Sequence, residues 1–381
     1  MAKKKKTSTG FSLKDELFNR DRVKFLAGQF QVSDPQFDSN GFIKSVMKDL
    51  LKLELKERIV HIATKLEEQL PDDFATACRS IQAALPPALD PTLHDDDFGD
   101  FIMAPLGEFV VRNGLEKKHV KRSLNLLHAI TQRFSMEDAI RYFINAHPEI
   151  TLSTMEKWTK DSNYHVRRLV SEGTRPRLPW SGRLHIDVIR PLPFLDALHA
   201  DETRYVTRSV SNHLNDIAKS DPDLVLKTLR RWKRLGLQDA AELDWMSRHA
   251  LRTMVKQGHA GALKFLGFRP DPKIQVGDVV LSTQSVRPGE AIEFSFAVTA
   301  ARAESLMVDY VIEFVKSNGS LAPKVHKIKP LDLAKGETVA VKKKHPFRAN
   351  ATTFKLYPGT HHLTIQINGK SFGRTSFEMS V

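Results

Sequence analysis

Apolar positions recur along this chain at two different periods, and the change of period divides it. From about residue 11 to about residue 268 they return every three or four residues. Val206, Val210, Leu214 and Ile217 fall on one helical face at that spacing. "AIRYFINAHP" (139–148) and "DLVLKTLRRWKRLG" (223–236) are amphipathic in the same way, and the second closes on a basic turn and Gly236, as helix C-termini do. From about Lys273 the pattern becomes short β-rich runs: "KIQVGDVVL", "AIEFSFAVTA", "LMVDYVIEFV", "HKIKPLDL", "TVAVKKKHPF" and "HHLTIQING". Turn signals separate them: "RPGE", "SNGS", "AKGE", "YPGT" and "INGK".

Six or seven short strands in about 110 residues predict an antiparallel β-sandwich of immunoglobulin-like type. The chain has a single cysteine, Cys78, so the inter-sheet disulfide of antibody domains is absent. The change falls at "GFRPDPKIQ", where Pro270 and Pro272 interrupt any helix. The expected layout is a basic flexible tail over 1–10, a helical domain over 11–270 and an all-β sandwich over 273–381.

The helical part repeats. "HVKR" at 119–122, "HVRR" at 165–168, "YVTR" at 205–208 and "WMSR" at 245–248 stand 46, 40 and 40 residues apart. Each opens a helical run, and Asp161 and Asp201 precede two of them at the same offset. Paired helices at a period near 40 are the signature of a HEAT-like solenoid, in which each pair packs on its neighbours and the array curves. The fold class expected is therefore multidomain, an all-α HEAT-like-repeat solenoid followed by an all-β immunoglobulin-like sandwich.

The helical period also sorts side chains. Val166 and Val170 share the apolar face. Arg168 lies two residues from each, about 200° round the helix, with Glu172 one turn beyond on its own face. Arg208 and Asn212 hold the matching places in the next repeat, and Arg248 and Arg252 in the one after. Such a ladder either braces neighbouring helices or lines a surface for phosphate.

Charge favours the second use. A net charge of +13 over 381 residues points to a polyanionic partner. No apolar run reaches the ~18 residues needed to cross a bilayer. "MAKKKK" is followed by polar sequence rather than the apolar core of a signal peptide. With one cysteine, these features lead us to expect a cytoplasmic protein without a Cys-based metal site. A membrane partner would need an apolar insertion helix, and none is evident.

"NYHVRRLVSEGTRPRLPW", followed one repeat later by "YVTRSVSNHLNDIAKSDPDLV" and preceded by "ITQRFSMEDAIRYFI", resembles the AlkC family of bacterial DNA alkylation-repair glycosylases, members of the HEAT-like-repeat superfamily. The resemblance covers residues 100 to 235 well and the other helices loosely. A subset of the family carries a C-terminal immunoglobulin-like domain. The resemblance implies cofactor-free hydrolysis of the N-glycosidic bond of cationic N3-alkylated bases such as 3-methyladenine and 3-methylcytosine in double-stranded DNA. It also implies engagement of the lesion without full base flipping, and a monomer is expected.

That chemistry needs no general acid, because a ring-alkylated purine leaves as a neutral base. It needs carboxylates that stabilise an oxocarbenium ion and position water, an aromatic wall, and arginines that hold flanking phosphates. Glu172, just before Gly173 ends its helix, is the first catalytic candidate. Glu137 is the second, because the matching family string carries an acidic residue there; read alone, it is a first-turn helix residue. Trp180 is the candidate aromatic wall. Arg167, Arg168, Arg175, Arg177, Arg208, Asn212 and Arg248 are the candidate DNA-binding residues. Asp161, Trp158, Tyr164, Lys343 and Lys344 are weaker candidates. Asp161 reads as a helix N-cap, Glu156 as an exposed helical residue, Trp158 and Tyr164 as repeat core, and the lysines as charges on a strand edge. "WTKD" spaces Trp158 and Asp161 by three rather than the four of the related AlkD pattern, so no catalytic aspartate is carried over to Asp161. The competing expectation is a non-catalytic helical array that binds DNA or protein.

Overall fold

The computed structural model describes residues 12–93, 98–349 and 354–380; the basic tail over 1–10 lies outside them. The first helices are α1 (Leu13–Leu17), α2 (Arg20–Ser33), α3 (Ser39–Met47), α4 (Leu55–Glu67) and α5 (Phe74–Ala83). They are followed by α6 (Ala104–Gly114), α7 (Val120–Thr131), α8 (Ala139–Ala146), α9 (Pro148–Trp158) and α10 (Tyr164–Gly173). The last are α11 (Leu192–Leu198), α12 (Arg204–Ile217), α13 (Pro222–Leu235), α14 (Ala240–Lys256) and α15 (Ala260–Phe265). Asn19, Asp73 and Asn163 cap the starts of α2, α5 and α10 through their side-chain oxygens.

The packing is that of a repeat array. α6 meets both α7 and α8, and α10 meets α9, α11 and α12. These helices thus touch both a neighbour in sequence and a helix further along the array. The buried stripes supply the core: Leu124, Leu127 and Ile130 from α7, Val166, Leu169 and Val170 from α10, and Val206, Val210 and Leu214 from α12. Among the described residues no helix is long and apolar enough to cross a membrane.

Chain contacts define two units. The first runs through Ile217 and takes back Leu235–Met246; the second holds Ala218–Arg234 and the chain from Ser247 onward. In the second unit the strands are β1 (Ile274–Val276), β2 (Val280–Leu281), β3 (Ser285–Val286), β4 (Ala291–Ala300) and β5 (Glu304–Val315). They continue with β6 (Leu321–Leu333), β7 (Thr338–Pro346), β8 (Gly359–Ile367) and β9 (Lys370–Met379). In one sheet β4 pairs with β1, β2 and β7; the other has the order β3-β9-β8-β5-β6. All pairs are antiparallel except β3 with β9.

The alternation expected of half-buried strands is present. Ile292, Phe294, Phe296 and Val298 of β4 face Leu306, Val308, Tyr310 and Ile312 of β5 in a common core with Leu363, Ile365 and Ile367 of β8. β9 lies beyond the six runs that the sequence pattern marks. Its Lys370, Ser371, Gly373, Arg374 and Thr375 give it little apolar alternation, and only Phe377 and Met379 are buried. It is held by pairing with β8 through a two-residue turn in which Asn368 and Gly369 both have positive φ, 46° and 77°.

Candidate active site

The site is built where α10 stops. Gly173 is required there: a Cβ on it would come within 2.5 Å of Ile140 Cγ2 on α8. Pro176 prevents the helix from resuming, and the chain runs to α11 without another helix or strand. Arg141 of α8 takes up the carbonyls that the broken helix leaves behind. Its Nη1 donates to Gly173 O (3.1 Å) and Arg175 O (2.8 Å), and its Nε to Gly182 O (2.9 Å).

Glu172, in the last turn of α10, is buried at 5% exposure. Its Oε1 accepts from Arg175 Nη1 at 2.6 Å and lies 3.6 Å from Arg168 Nη2. Its Oε2 accepts from Ser209 Oγ of α12 at 2.6 Å. Ser209 Oγ is also 2.9 Å from Ser171 Oγ. A serine has one proton to donate, and the carboxylate takes it, so Ser171 donates in turn to Ser209. Burial pushes the Glu172 carboxyl upward, but Arg168, Arg175 and the Ser209 hydrogen bond outweigh it and hold the group below its ordinary value. Glu172 is therefore ionised at neutral pH.

Both arginines reach past Glu172 to a second carboxylate. Arg168 bonds Glu137 and donates to Ser135 Oγ at 2.8 Å. Arg175 bonds Asp216 of α12 through Nε (3.0 Å) and Nη2 (3.0 Å). The result is an alternating row: Glu137, Arg168, Glu172, Arg175, Asp216. Burial works against both guanidinium charges, but the carboxylates on either side raise their pKa values all the same. Glu137, Glu172 and Asp216 supply its carboxylates, and Arg168 and Arg175 the guanidiniums between them. Glu137 is the most open of its carboxylates, with 29% of its side chain exposed against 6% for Glu172 and 3% for Asp216. It precedes α8, with its Oε2 accepting from Ser135 Oγ at 2.9 Å, rather than lying in the helix's first turn. Behind the row, His213 Nδ1 donates to Ser171 O at 3.0 Å, and burial lowers this ring to about 4, so it is neutral.

Aromatic residues line the row. The Arg168 guanidinium stacks 4.9 Å over the Tyr205 ring. Tyr205 meets Tyr164, His165 and Phe98 edge-on. Trp180 stands apart from these: it is 83% exposed, and its φ of 71° is left-handed, which is costly for a bulky residue. Lys56 of α4 bonds its carbonyl oxygen.

The remaining sequence candidates are distributed as follows. Arg167 is clamped to Asp201, with Nε at 2.5 Å, and bonds Asp161 O at 2.9 Å. Asp161 is not the cap of α10: Asn163 is, because its side chain reaches His165 N at 2.9 Å. Asp161 instead accepts from Asn163 N at 2.8 Å and pairs with His128 Nε2 at 2.8 Å. Trp158 is buried beside the His128 ring, and Tyr164 is buried. Arg177 is exposed on the loop before Trp180, Arg208 and Asn212 are half-buried on α12, and Glu156 is exposed on α9. In the second unit Arg248 is exposed, Lys343 is half-buried, and Lys344 lies 3.3 Å from Glu293. The structure thus gathers Glu172, Glu137, Arg168 and Arg175 into one cluster, and three of the arginines expected to hold phosphate are engaged with carboxylates.

Ser209, Asp216, Tyr205 and Arg141 complete the cluster and were not among the sequence candidates. Asp216 carried a signal: the four-residue step from Arg208 to Asn212 lands on it next. Ser209 and Arg141 carried none, since only tertiary packing aims them. Among the described residues no group of three or more His, Cys, Asp or Glu is arranged to hold a metal.

Known proteins share this architecture. Residues 275–381 match the model of the C-terminal immunoglobulin-like domain of the uncharacterised protein YhaZ. YhaZ of Bacillus subtilis strain 168, itself uncharacterised, is 32% identical over 368 residues, 96% of this chain and 98% of its own. A structure of the Pseudomonas fluorescens alkylpurine DNA glycosylase AlkC, bound to DNA containing an abasic-site analogue, superposes with a TM-score of 0.86 at 33% identity, over 97% of this chain and 100% of that one. With this similarity running through both the helical array and the sandwich, the chain belongs to the AlkC family of DNA alkylation-repair glycosylases.

Proposed function

We propose that this protein is a monofunctional glycosylase that hydrolyses the N-glycosidic bond of cationic N3-alkylated bases, 3-methyladenine and 3-methylcytosine, in double-stranded DNA. The observation that carries the reading is the row from Glu137 to Asp216. It gathers the carboxylates of Glu137, Glu172 and Asp216 in a chain whose total charge is +13. Carboxylates so placed suit a reacting sugar that turns cationic, while the basic remainder of the chain suits the anionic phosphates.

Glu172 and Glu137 are the carboxylates to which the chemistry is assigned. An ionised carboxylate stabilises the developing oxocarbenium ion and takes a proton from the attacking water. A carboxyl held below its ordinary pKa cannot serve as a general acid at neutral pH. That restriction fits cationic bases, which leave without protonation, and it disfavours uncharged lesions. Arg177 and Trp180, displayed on the open loop, are assigned to the DNA, together with Arg208, Asn212 and Arg248. Arg168 and Arg175 aim the carboxylates, and their remaining N–H groups serve the flanking phosphates. Trp180 is assigned as the aromatic wall, and its exposure suits attack on a base that is not fully flipped. The protein acts as a monomer, and the reaction draws on no cofactor.

The test is chromatography of bases freed from methylated duplex DNA. The expected result is release of 3-methyladenine or 3-methylcytosine, no strand break before heating, and no release of hypoxanthine from deoxyinosine DNA. Glu172→Gln should lower release by roughly a hundredfold or more, the scale of removing one transition-state contact, while salt-sensitive DNA binding survives. An array that binds DNA and frees no base from any alkylated substrate would overturn the reading.

A further inference from the structure

We infer that Arg141 is a positioning residue for the recognition loop, acting as a single pin that closes residues 173–182 into one rigid element; the catalytic half of this inference rests on the glycosylase reading above. The loop begins at Gly173 and carries Arg175, Arg177 and Trp180. One guanidinium holds both of its ends, through Gly173 O and Arg175 O on one side of the break and Gly182 O on the other. Arg141 is 2% exposed, and burial lowers its pKa. A buried cation that bonds three carbonyls rather than a carboxylate is an unusual use of charge, because it forgoes the strongest partner available. Asp138, Glu137 and Glu172 lie close enough to favour its charge, yet its donors go to backbone.

The geometry explains the choice. An Arg–carboxylate bond would fix one side chain. The planar guanidinium, with several donors in a fixed fork, fixes two strands of backbone at a set separation, as the closure of an Ω-loop requires. Asn145, one helical turn along α8, continues the pin: its Nδ2 donates to Arg183 O at 2.9 Å, and its Oδ1 accepts from His185 N at 2.9 Å. Lys56 holds the third point, Trp180 O. Between these anchors Trp180 is 83% exposed in a left-handed conformation. An unpinned loop would relax φ and lose the indole's orientation. Arg141 also fixes the backbone of Arg175, whose guanidinium bonds Glu172, so the pin reaches the catalytic row as well.

The experiment uses the full-length protein with Arg141→Gln and Asn145→Ala. Limited trypsin digestion is followed by mass spectrometry at Arg177 and Arg183, the cleavable arginines of the open loop. Losing charge-assisted hydrogen bonds should speed cleavage at these two sites roughly ten- to a hundredfold through local opening, with sites elsewhere unchanged. Base release should fall by up to roughly a hundredfold, as for a misplacement near 1 Å, and in a Trp180→Ala background the further loss should be much smaller. Unchanged cleavage at Arg177 and Arg183 in a folded Arg141→Gln protein would overturn the proposal. Should Arg141→Gln lose its helical circular dichroism, Arg141→Lys, which keeps the charge but lacks the planar fork, decides in the same way. If the wild-type protein frees no base, the glycosylase reading fails while the cleavage measurement still decides the pin.

Discussion

The Ser209 hydroxyl donates a 2.6 Å hydrogen bond to Glu172 Oε2, so a buried carboxylate of one repeat is held by the next. Both groups are buried. Ser209→Ala removes the donor and leaves a buried carboxylate oxygen without it, at a cost of about 1–3 kcal/mol in stability. It should also raise the Glu172 carboxyl. The folded-state pKa is depressed, so Glu172 is ionised, and contributes stability, above its unfolded value near 4.3. That stability is lost as pH falls through the lower folded value, and base release is expected to fall with it. In Ser209→Ala the acid limb of base release should therefore move to higher pH. A pH–rate profile on methylated DNA measures it, and an unmoved limb would show that Ser209 does not set the ionisation.

Asp216 shares Arg175 with Glu172. Asp216→Asn removes one negative charge from the row. Release of cationic bases should fall by roughly tenfold, about 1.4 kcal/mol of lost electrostatic stabilisation, while affinity for undamaged DNA rises because repulsion of phosphate is smaller. Single-turnover kinetics and salt-dependent binding separate the two effects. A fall in both together would mean that Asp216 serves only the fold.

Much of this site could be read in the sequence, and the limit has a physical cause. The stop at Gly173 and the shared face of Arg168 and Glu172 follow from helical period and from "GTRP", which are local. What a side chain bonds is set by the neighbouring repeat. By type and position Arg167 and Arg175 read as phosphate ligands, whereas Asp201 and Asp216, one repeat later, pair with them. Ser209 is one polar residue among many on α12, and Arg141 sits in an amphipathic pattern that gives no reason to expect a buried cation. In the sandwich, β4 follows "AIEFSFAVTA" residue for residue, whereas β9 exists because β8 pairs with it. Asp161 and Asn163 are both capping residues by type, and only the hydrogen bond to His165 N chooses between them.

Trp180 carries a stability cost that glycine would relieve. At φ 71° a bulky residue is disfavoured by about 1–2 kcal/mol, and the exposed indole recovers little by packing. Trp180→Gly should leave the melting temperature unchanged or raise stability by up to about 1 kcal/mol, yet lower base release markedly. Opposite movements of stability and activity are expected where strain presents a functional side chain. Differential scanning calorimetry beside the base-release assay tests this. A destabilised protein with normal turnover would show that the indole packs rather than acts.

The second unit should be acid-sensitive in a window of its own. His345 and His326, 4.6 Å apart between ring centroids, are held neutral by burial, which lowers each to about 4, with Lys324 and Lys343 near both rings and Lys256 near His326 adding to the effect. Tyr310, raised to about 12 by burial, shares a 2.7 Å hydrogen bond with His345 Nδ1, and protonating the ring makes Nδ1 the donor and turns the hydroxyl proton away into the buried surroundings. The unfolded chain binds these protons near pH 6.5 and the folded chain only near 4. Stability is therefore complete above about 6.5 and declines as pH falls toward 4, by at most ~1.4 kcal/mol per pH unit for each ring. His326 Nε2 has no hydrogen-bond partner, so His326→Leu removes one titrating ring without breaking a bond. Denaturant melts at pH 6.5, 5.5 and 4.5, followed by the β-sheet circular dichroism signal, should show a shallower decline in His326→Leu than in the wild type. Equal slopes would mean that the ring charges without penalty and that its burial does not govern this unit's stability.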